Sequence, residues 1–144
     1  MKTVQDILQK KGQSVWSVPP QASIFEALRM MEEKNIGAVL VLEEEELQGI
    51  FSERDYARKV VLKGRSSRET QVAEGMTSRV ACVRPDTTIE ECMALMTDKR
   101  VRHLPVLDEK DRVAGVISIG DIVQAKISEQ EFLIEQLVNY ISGR

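Results

Sequence analysis

Residues 18–42 read VPPQASIFEALRMMEEKNIGAVLVL, and residues 83–107 read VRPDTTIEECMALMTDKRVRHLPVL. With Pro20 set over Pro85, Val18, Ile24, Glu26, Met31, Lys34, Val41 and Leu42 recur as Val83, Ile89, Glu91, Met96, Lys99, Val106 and Leu107. Past a one-residue insertion in the second turn, GIFSERD over 49–55 aligns with GVISIGD over 115–121, pairing Gly49, Ser52 and Asp55 with Gly115, Ser118 and Asp121. The flanks agree as well, since Val4-Gln5-Asp6-Ile7-Leu8 resembles Val72-Ala73-Glu74-Gly75-Met76. Features recurring in one order mark a duplicated supersecondary unit, here of about sixty residues.

Each copy has the same local reading. Ser23 with Glu26, and Thr88 with Glu91, carry the S/T-x-x-E spacing of a capping box, which places helix starts there. Ile24, Ala27, Leu28 and Met31, like Ile89, Cys92, Met93 and Met96, follow the i, i+3, i+4, i+7 pattern of one apolar stripe, so these methionines read as core. Ile36–Leu42 and Val101–Leu107 are short apolar runs, each followed by an acidic turn and a second run, Leu47–Ser52 or Val113–Ser118, which predicts a helix followed by a β-hairpin. The carboxylates Glu43 to Glu46 read as a solvated hairpin tip rather than a cation site. Asp55 and Asp121 open second helices, where Asp is a favoured N-cap, the latter helix running Ile122 to Ile127. Each repeat is thus strand, helix, strand, strand, helix. One such unit leaves an apolar sheet face uncovered, and two copies can cover each other.

Beyond the repeats, Ser128 with Glu131 forms a further capping box. Ile134, Leu137, Val138 and Ile141 mark a stripe, and Gly143 is placed to end the helix. With Phe132, Leu133 and Tyr140 this segment is more apolar than one narrow stripe requires, so its surplus must pack on the module or on another chain. The expected fold class is α+β: two βαββα repeats packed as a pseudo-symmetric pair, with an extra C-terminal helix. The expected divisions are 1–62 for the first repeat with its N-terminal helix, 63–71 for a basic linker, 72–127 for the second repeat and 128–144 for the final helix. Arg58, Lys59, Lys63, Arg65 and Arg68 read as solvated charge on and before that linker.

Composition excludes several functions. The chain has 144 residues, a net charge of −3, a pI near 5.3 and 4% aromatic residues, which suits neither counterion displacement from nucleic acid nor base stacking. Apolar runs long enough for a bilayer are missing, and the amino-terminal MKTVQDILQKKG lacks the pattern of a secretory signal, so no membrane partner and a cytoplasmic location are expected. Cys82 and Cys92 share no metal-ligand spacing and read as packed, reduced thiols. His103, the single histidine, reads as a strand residue rather than a base. Neither a nucleophile with a base at a recognisable spacing nor a Walker-type phosphate loop is present, so no catalytic residue is assigned and no enzyme is expected.

The order V-x-x-P, capped helix, apolar strand ending in P-V, turn and G-h-h-S-x-x-D, twice in tandem, resembles the cystathionine-β-synthase (CBS) domain pair over nearly the whole chain. GIFSERDYARK, residues 49–59, further resembles free-standing bacterial CBS-pair proteins. The resemblance implies a regulatory module that binds an adenosine-containing nucleotide between its halves. AMP or NAD(H) come first as ligands, with ADP, ATP and S-adenosylmethionine behind them. The module would be a homodimer reporting occupancy to an unidentified regulated protein. Carried over by position, one site would join Ser52, Arg54 and Asp55 to Ala81, Cys82, Val83, Arg102, His103, Leu104 and Pro105. The other would join Ser118, Gly120 and Asp121 to Trp16, Ser17, Val18, Gly37, Ala38 and Val39.

The chemistry suits those residues. A carboxylate accepts from both ribose hydroxyls, helix-start amides and Ser hydroxyls suit phosphate oxygens, Arg54 can add a bidentate contact, and Gly37 and Ala38 leave room for a flat purine. The copies also depart from one another. Leu40 stands where the second repeat has Pro105, Gly120 stands where the first has Arg54, and Ala81 and Cys82 replace the usual Thr before the helix, so the two clefts are not equivalent. The alternative reading is a structural dimerisation or interaction module whose clefts no longer bind nucleotide.

Overall fold

The protein is described here by a computed structural model over residues 2–12 and 14–143. In chain order the elements are α1 (Val4–Lys11), β1 (Ser17–Val18), α2 (Ile24–Lys34), β2 (Ala38–Glu43), β3 (Glu46–Ser52), α3 (Glu53–Asp55, continued as a π-helix over Tyr56–Val61), α4 (Val72–Gly75), α5 (Ile89–Lys99), β4 (His103–Leu107), β5 (Val113–Ser118) and α6 (Ile119–Ile141). They form two compact units, one of Ser14–Val80 with Glu109–Ala114, the other of Met1–Gln13, Ala81–Asp108 and Gly115–Arg144.

In the first of these units, β1 runs parallel to β2, and β2 and β3 form the expected antiparallel hairpin. The two residues at its tip, Glu44 and Glu45, both take positive φ, 51° and 69°, the conformation that a two-residue hairpin turn matching strand twist demands. Glu43 to Glu46 are all exposed, as a solvated turn requires. A bulge follows, because Val41 pairs with Gly49 but Leu42 with Leu47, leaving Gln48 over. On the outer edge of β3, Ile50 exchanges main-chain hydrogen bonds of 3.0 and 2.8 Å with Thr77. That approach needs the glycine beside it, since a Cβ on Gly49 would lie 2.6 Å from the Thr77 carbonyl oxygen.

The sheet's apolar residues Val39, Val41 and Phe51 meet Ile24, Ala27 and Met31 of α2, with Val18, Val60 and Val72 closing the core. Helix α2 starts where the spacing predicts, Ser23 Oγ accepting from the Glu26 amide at 3.1 Å, and stops at Asn35 in the left-handed conformation. The segment read as a solvated basic linker is engaged here. Arg65 pairs with Glu74, and the Arg68 guanidinium lies 3.9 Å over the Phe25 ring.

In the other unit Thr88 and Glu91 form the full reciprocal capping box at the start of α5. Ile89, Cys92 and Met96 are buried, but Met93 is 42% exposed, so its place in the i, i+4 spacing does not make it core. The stripe on this helix is narrower than the pattern suggests. The strand expected before α5 is reduced to one parallel bridge, Val83 to Val106, because Val83 is followed within two residues by Pro85, which has no N–H to extend a ladder.

Units and repeats are bounded differently. Helix α1 precedes the first repeat in sequence but belongs with the second, where the Val4 and Gln5 amides bond the Thr87 and Pro85 carbonyls at 2.8 Å each and Leu8 lies against Gly115. Its counterpart α4 belongs with the first repeat, the Val72 amide bonding the Ala22 carbonyl at 2.7 Å. Helices this short form only by burying one face on a neighbour.

The separate C-terminal helix is corrected. Helix α6 runs unbroken from Ile119 to Ile141, and Ser128 sits in its interior with its hydroxyl accepting from Gln124 Nε2 at 3.4 Å rather than capping. No Pro or Gly interrupts the chain between Gly120 and Gly143, so extending the ladder costs less than breaking and recapping it. The helix does end as expected, with Gly143 at φ 73° just beyond it.

Candidate functional site

Each repeat's S-x-x-D motif sits where a strand turns into a helix, and in both the capping roles differ from those expected. The N-cap is Ser52 or Ser118, and the aspartate is the third helical residue of a reciprocal box. Asp55 Oδ2 accepts from the Ser52 amide at 2.9 Å and from its hydroxyl at 3.0 Å, while Ser52 Oγ accepts from the Asp55 amide at 3.3 Å. Asp121 Oδ2 accepts from the Ser118 amide at 2.9 Å, and Ser118 Oγ accepts from the Asp121 amide at 3.1 Å. A Ser with an acid three residues on satisfies two helix-start donors at once, which an Asp at the cap position alone cannot do.

Both carboxylates also meet a lysine. Lys59 Nζ lies 3.3 Å from Asp55 Oδ1, which accepts from Thr77 Oγ1 at 3.0 Å as well, and Lys59 donates to the Met76 carbonyl at 3.1 Å. The Asp55 side chain is only 13% exposed. In the other unit Lys11 Nζ, at the end of α1, donates to Asp121 Oδ2 at 2.6 Å and to the Val116 carbonyl at 3.0 Å. Burial pushes the Asp121 carboxyl up, but the Lys11 ammonium and the Ser118 amide outweigh it and hold the group below its ordinary range. Sequence reading took Lys59 as solvated charge and passed over Lys11. Lys59 stands four residues after Asp55 on one helical stretch, a signal that was available; Lys11 is 110 residues from Asp121, and nothing local marks it.

The strands named as base-reading fall into the same two units. Trp16, Ser17 and Val18 lie beside β2, the Leu40 amide bonding the Trp16 carbonyl at 3.1 Å, and Ala38 pairs with Ser52 across the hairpin. The Glu53 amide bonds the Gly37 carbonyl at 3.1 Å, tying the start of α3 to the start of β2. The second repeat repeats this clamp, with the Ile119 amide on the Arg102 carbonyl at 2.9 Å, and the Val83 amide bonds the Pro105 carbonyl at 2.9 Å.

Each unit therefore brings together an S-x-x-D motif and the strand residues of one repeat: Ser52, Arg54 and Asp55 with Trp16–Val18 and Gly37–Val39, and Ser118, Gly120 and Asp121 with Ala81–Val83 and Arg102–Pro105. Val18, Val39, Val83, Leu104 and Pro105 have buried side chains, so these five offer a ligand main chain at most. Trp16 is 38% exposed with Lys34 Nζ 4.3 Å over its ring, and His103 is half-buried in β4.

A cavity of about 470 Å³ opens beside Gly37, lined by Leu28, Met31, Glu32, Asn35, Ile36 and Glu53. Its two charged lining residues, Glu32 and Glu53, are carboxylates, a lining that repels phosphate. Burial pushes the Cys92 thiol up to about 11, with the Glu91 carboxylate adding to it, and burial raises Cys82 against the pull of Arg84. Neither cysteine is in a disulfide. Among the described residues no group of three or more His, Cys, Asp and Glu is placed to hold a metal ion, and no helix is long and apolar enough to cross a membrane.

Comparison with known proteins meets this geometry. The mitochondrial CBS domain-containing protein CBSX3 of Arabidopsis thaliana is 37% identical over 151 aligned residues, spanning 98% of this chain and 72% of that one. The structure of a putative signal-transduction protein with CBS domains from Burkholderia ambifaria is 48% identical, with a TM-score of 0.86 over 90% of this chain and 96% of that one. The CBS domain pair of MJ0100, solved in complex with 5′-methylthioadenosine and S-adenosyl-L-methionine, shares the fold at a TM-score of 0.79 and 23% identity, over 90% of this chain and 98% of that one. Free-standing CBS-pair proteins are regulatory modules. The family model of the CBS domain matches residues 4–62 and again 70–128, and the chain belongs to the CBS-domain family as a tandem pair.

Proposed function

We propose that this CBS pair is a non-catalytic sensor of adenine nucleotides, AMP or NAD(H) before ADP, ATP and S-adenosylmethionine, working as a cytoplasmic homodimer that passes occupancy to a regulated protein. The observation that carries the reading is the twice-built S-x-x-D cap, in which a positioned carboxylate and a lysine ammonium stand side by side. A ribose diol donates to the carboxylate, and a phosphate accepts from the ammonium, the Ser hydroxyl and the helix-start amides. The main chain of Ala38 and Val39 in one unit, and of Ala81 and Cys82 in the other, serves the flat base. The adenosine compounds held by the MJ0100 pair support the same ligand class. Cysteines outside any disulfide fit a reducing compartment.

Thermal-shift measurement against the five compounds tests the reading. A ligand specific for the folded state, at a hundred times its dissociation constant, adds about 2.7 kcal/mol, a rise of roughly 5 to 10 °C at this length. Rise with none of them discards the sensor.

One observation favours the alternative of a structural module. Asp55 has both oxygens satisfied from within, Oδ2 by Ser52 and Oδ1 by Thr77 and Lys59. A ribose at that motif must displace bonds already made, whereas at Asp121 the described hydrogen bonds all fall on Oδ2. The second motif is the better receptor of the two.

A further inference from the structure

The surface of α6 beyond its anchored first turns is the largest apolar feature that the nucleotide reading leaves unused. Ile122 and Ala125 bury the start of the helix, and Lys126 Nζ ties it at 3.2 Å to Glu90 of α5 while also meeting Glu129 of its own helix at 3.2 Å. From Val123 onward a second apolar row faces water: Val123, Ile127, Ile134, Leu137 and Ile141 are between 47% and 83% exposed. With Gln130 this row alternates steps of four and three residues, the a/d repeat of a coiled coil, and Leu133, Val138 and Tyr140, 55–84% exposed, flank it at g and e. Ile127, Ile134 and Ile141 fall at a, and Val123, Gln130 and Leu137 fall at d.

We infer that this seam pairs in parallel with α6 of a second copy of the chain, which deepens the homodimer reading above and rests on it. Three features of the row select that occupant. Ile at every a position with Leu137 at the central apolar d position is the choice that favours two parallel strands. The one polar seam residue, Gln130, would sit in register against its own copy, where two amides can bond each other; against an unrelated apolar surface it would be an unpaired cost. The charged residues flanking the seam are Lys126 at g and Glu131 at e, five apart and of opposite sign, the spacing at which g of one parallel strand meets e of the other. Lys126 uses two of its three donors within its own unit, so one remains for Glu131 of the second copy. The row spans under three heptads, which sets a reversible association rather than a permanent one.

Sedimentation velocity over a wide concentration range, on the full chain, tests this. The parent is expected to show a monomer–dimer equilibrium, and the double substitution Ile134→Glu with Leu137→Glu to be monomeric throughout with unchanged far-ultraviolet circular dichroism. Gln130→Leu is expected to tighten the dimer by about tenfold through added apolar burial. Under mild oxidant, Gln130→Cys is expected to form a disulfide-linked dimer that the parent does not. A parent that stays monomeric defeats the homodimer itself. A parent dimer that survives the double substitution means the copies meet elsewhere, and a dimer in which Gln130→Cys does not cross-link means the helices do not run parallel in register; either result overturns the seam while leaving the homodimer standing.

Discussion

Replacing Asp121 separates its structural role from its proposed role in binding. Asp121→Ala removes the acceptor of the Ser118 amide and the partner of Lys11. Loss of such a cap costs about 1 kcal/mol, and the ion pair, with Lys11 39% exposed, adds about 0.2–1 kcal/mol after solvent screening. The sum is roughly 1–2 kcal/mol, a fall in melting temperature of about 2–8 °C for a chain of this size. Asp121→Asn keeps a side-chain oxygen for the Ser118 amide and loses only the charge, so its expected fall is about 1–4 °C. For an adenosine ligand the two should look alike, because neither presents a carboxylate to two ribose hydroxyls, and each is expected to weaken binding at that motif by about 10- to 150-fold. Differential scanning fluorimetry without ligand and isothermal titration with AMP and NADH give the two readouts on the same samples. An Asn variant that binds like the parent removes Asp121 from the ribose role, and one as unstable as the Ala variant shows that charge rather than capping holds this helix start.

Acid should act through the same group. The folded pKa of Asp121 lies below its unfolded value of about 3.9, so its contribution is present above that pH and lost as pH falls through the folded value. The parent's advantage in melting temperature over Asp121→Asn should therefore shrink between pH 5 and 3, and an advantage that grows on acidification would show the sign to be wrong. Gly49→Ala should cost about 1–3 kcal/mol, because its Cβ would meet the Thr77 backbone at 2.6 Å and not a movable side chain; chemical denaturation with an unchanged midpoint rules out that close approach. In the native protein at pH 8, iodoacetamide should label the half-buried Cys82 before the buried Cys92, whose thiol is pushed up to about 11, and mass spectrometry showing equal labelling contradicts the burial of α5.

The duplication made most of this fold legible. The helix starts at Ser23 and Thr88, both hairpins and the acidic tip follow from spacing and side-chain type, and each is where the sequence puts it. What escaped depends on distance or on continuity. The residence of α1 with the second repeat is set by hydrogen bonds from Val4 and Gln5 to residues some eighty positions away, and no local pattern encodes them. The continuity of α6 escaped because Ser128 and Glu131 imitate a capping box, a signal that holds only where the preceding chain is not already helical. At the motif the capping roles are exchanged: Ser caps and Asp reciprocates, and while Lys59 was readable four residues after Asp55, Lys11 emerges only once α1 is in place. Of the residues named as lining, Val18, Val39, Val83, Leu104 and Pro105 have buried side chains and could offer a ligand only their main chain, since strand position was readable and side-chain burial at that position was not.

The central claim is that the S-x-x-D motifs receive an adenosine nucleotide, and the most direct measurement is isothermal titration of AMP and of NADH into the parent and into the double variant Asp55→Ala with Asp121→Ala, each first shown to be folded by circular dichroism. Saturable binding by the parent that is lost in the double variant is the expected result; a parent that binds neither compound, or a folded double variant that binds as the parent does, contradicts it.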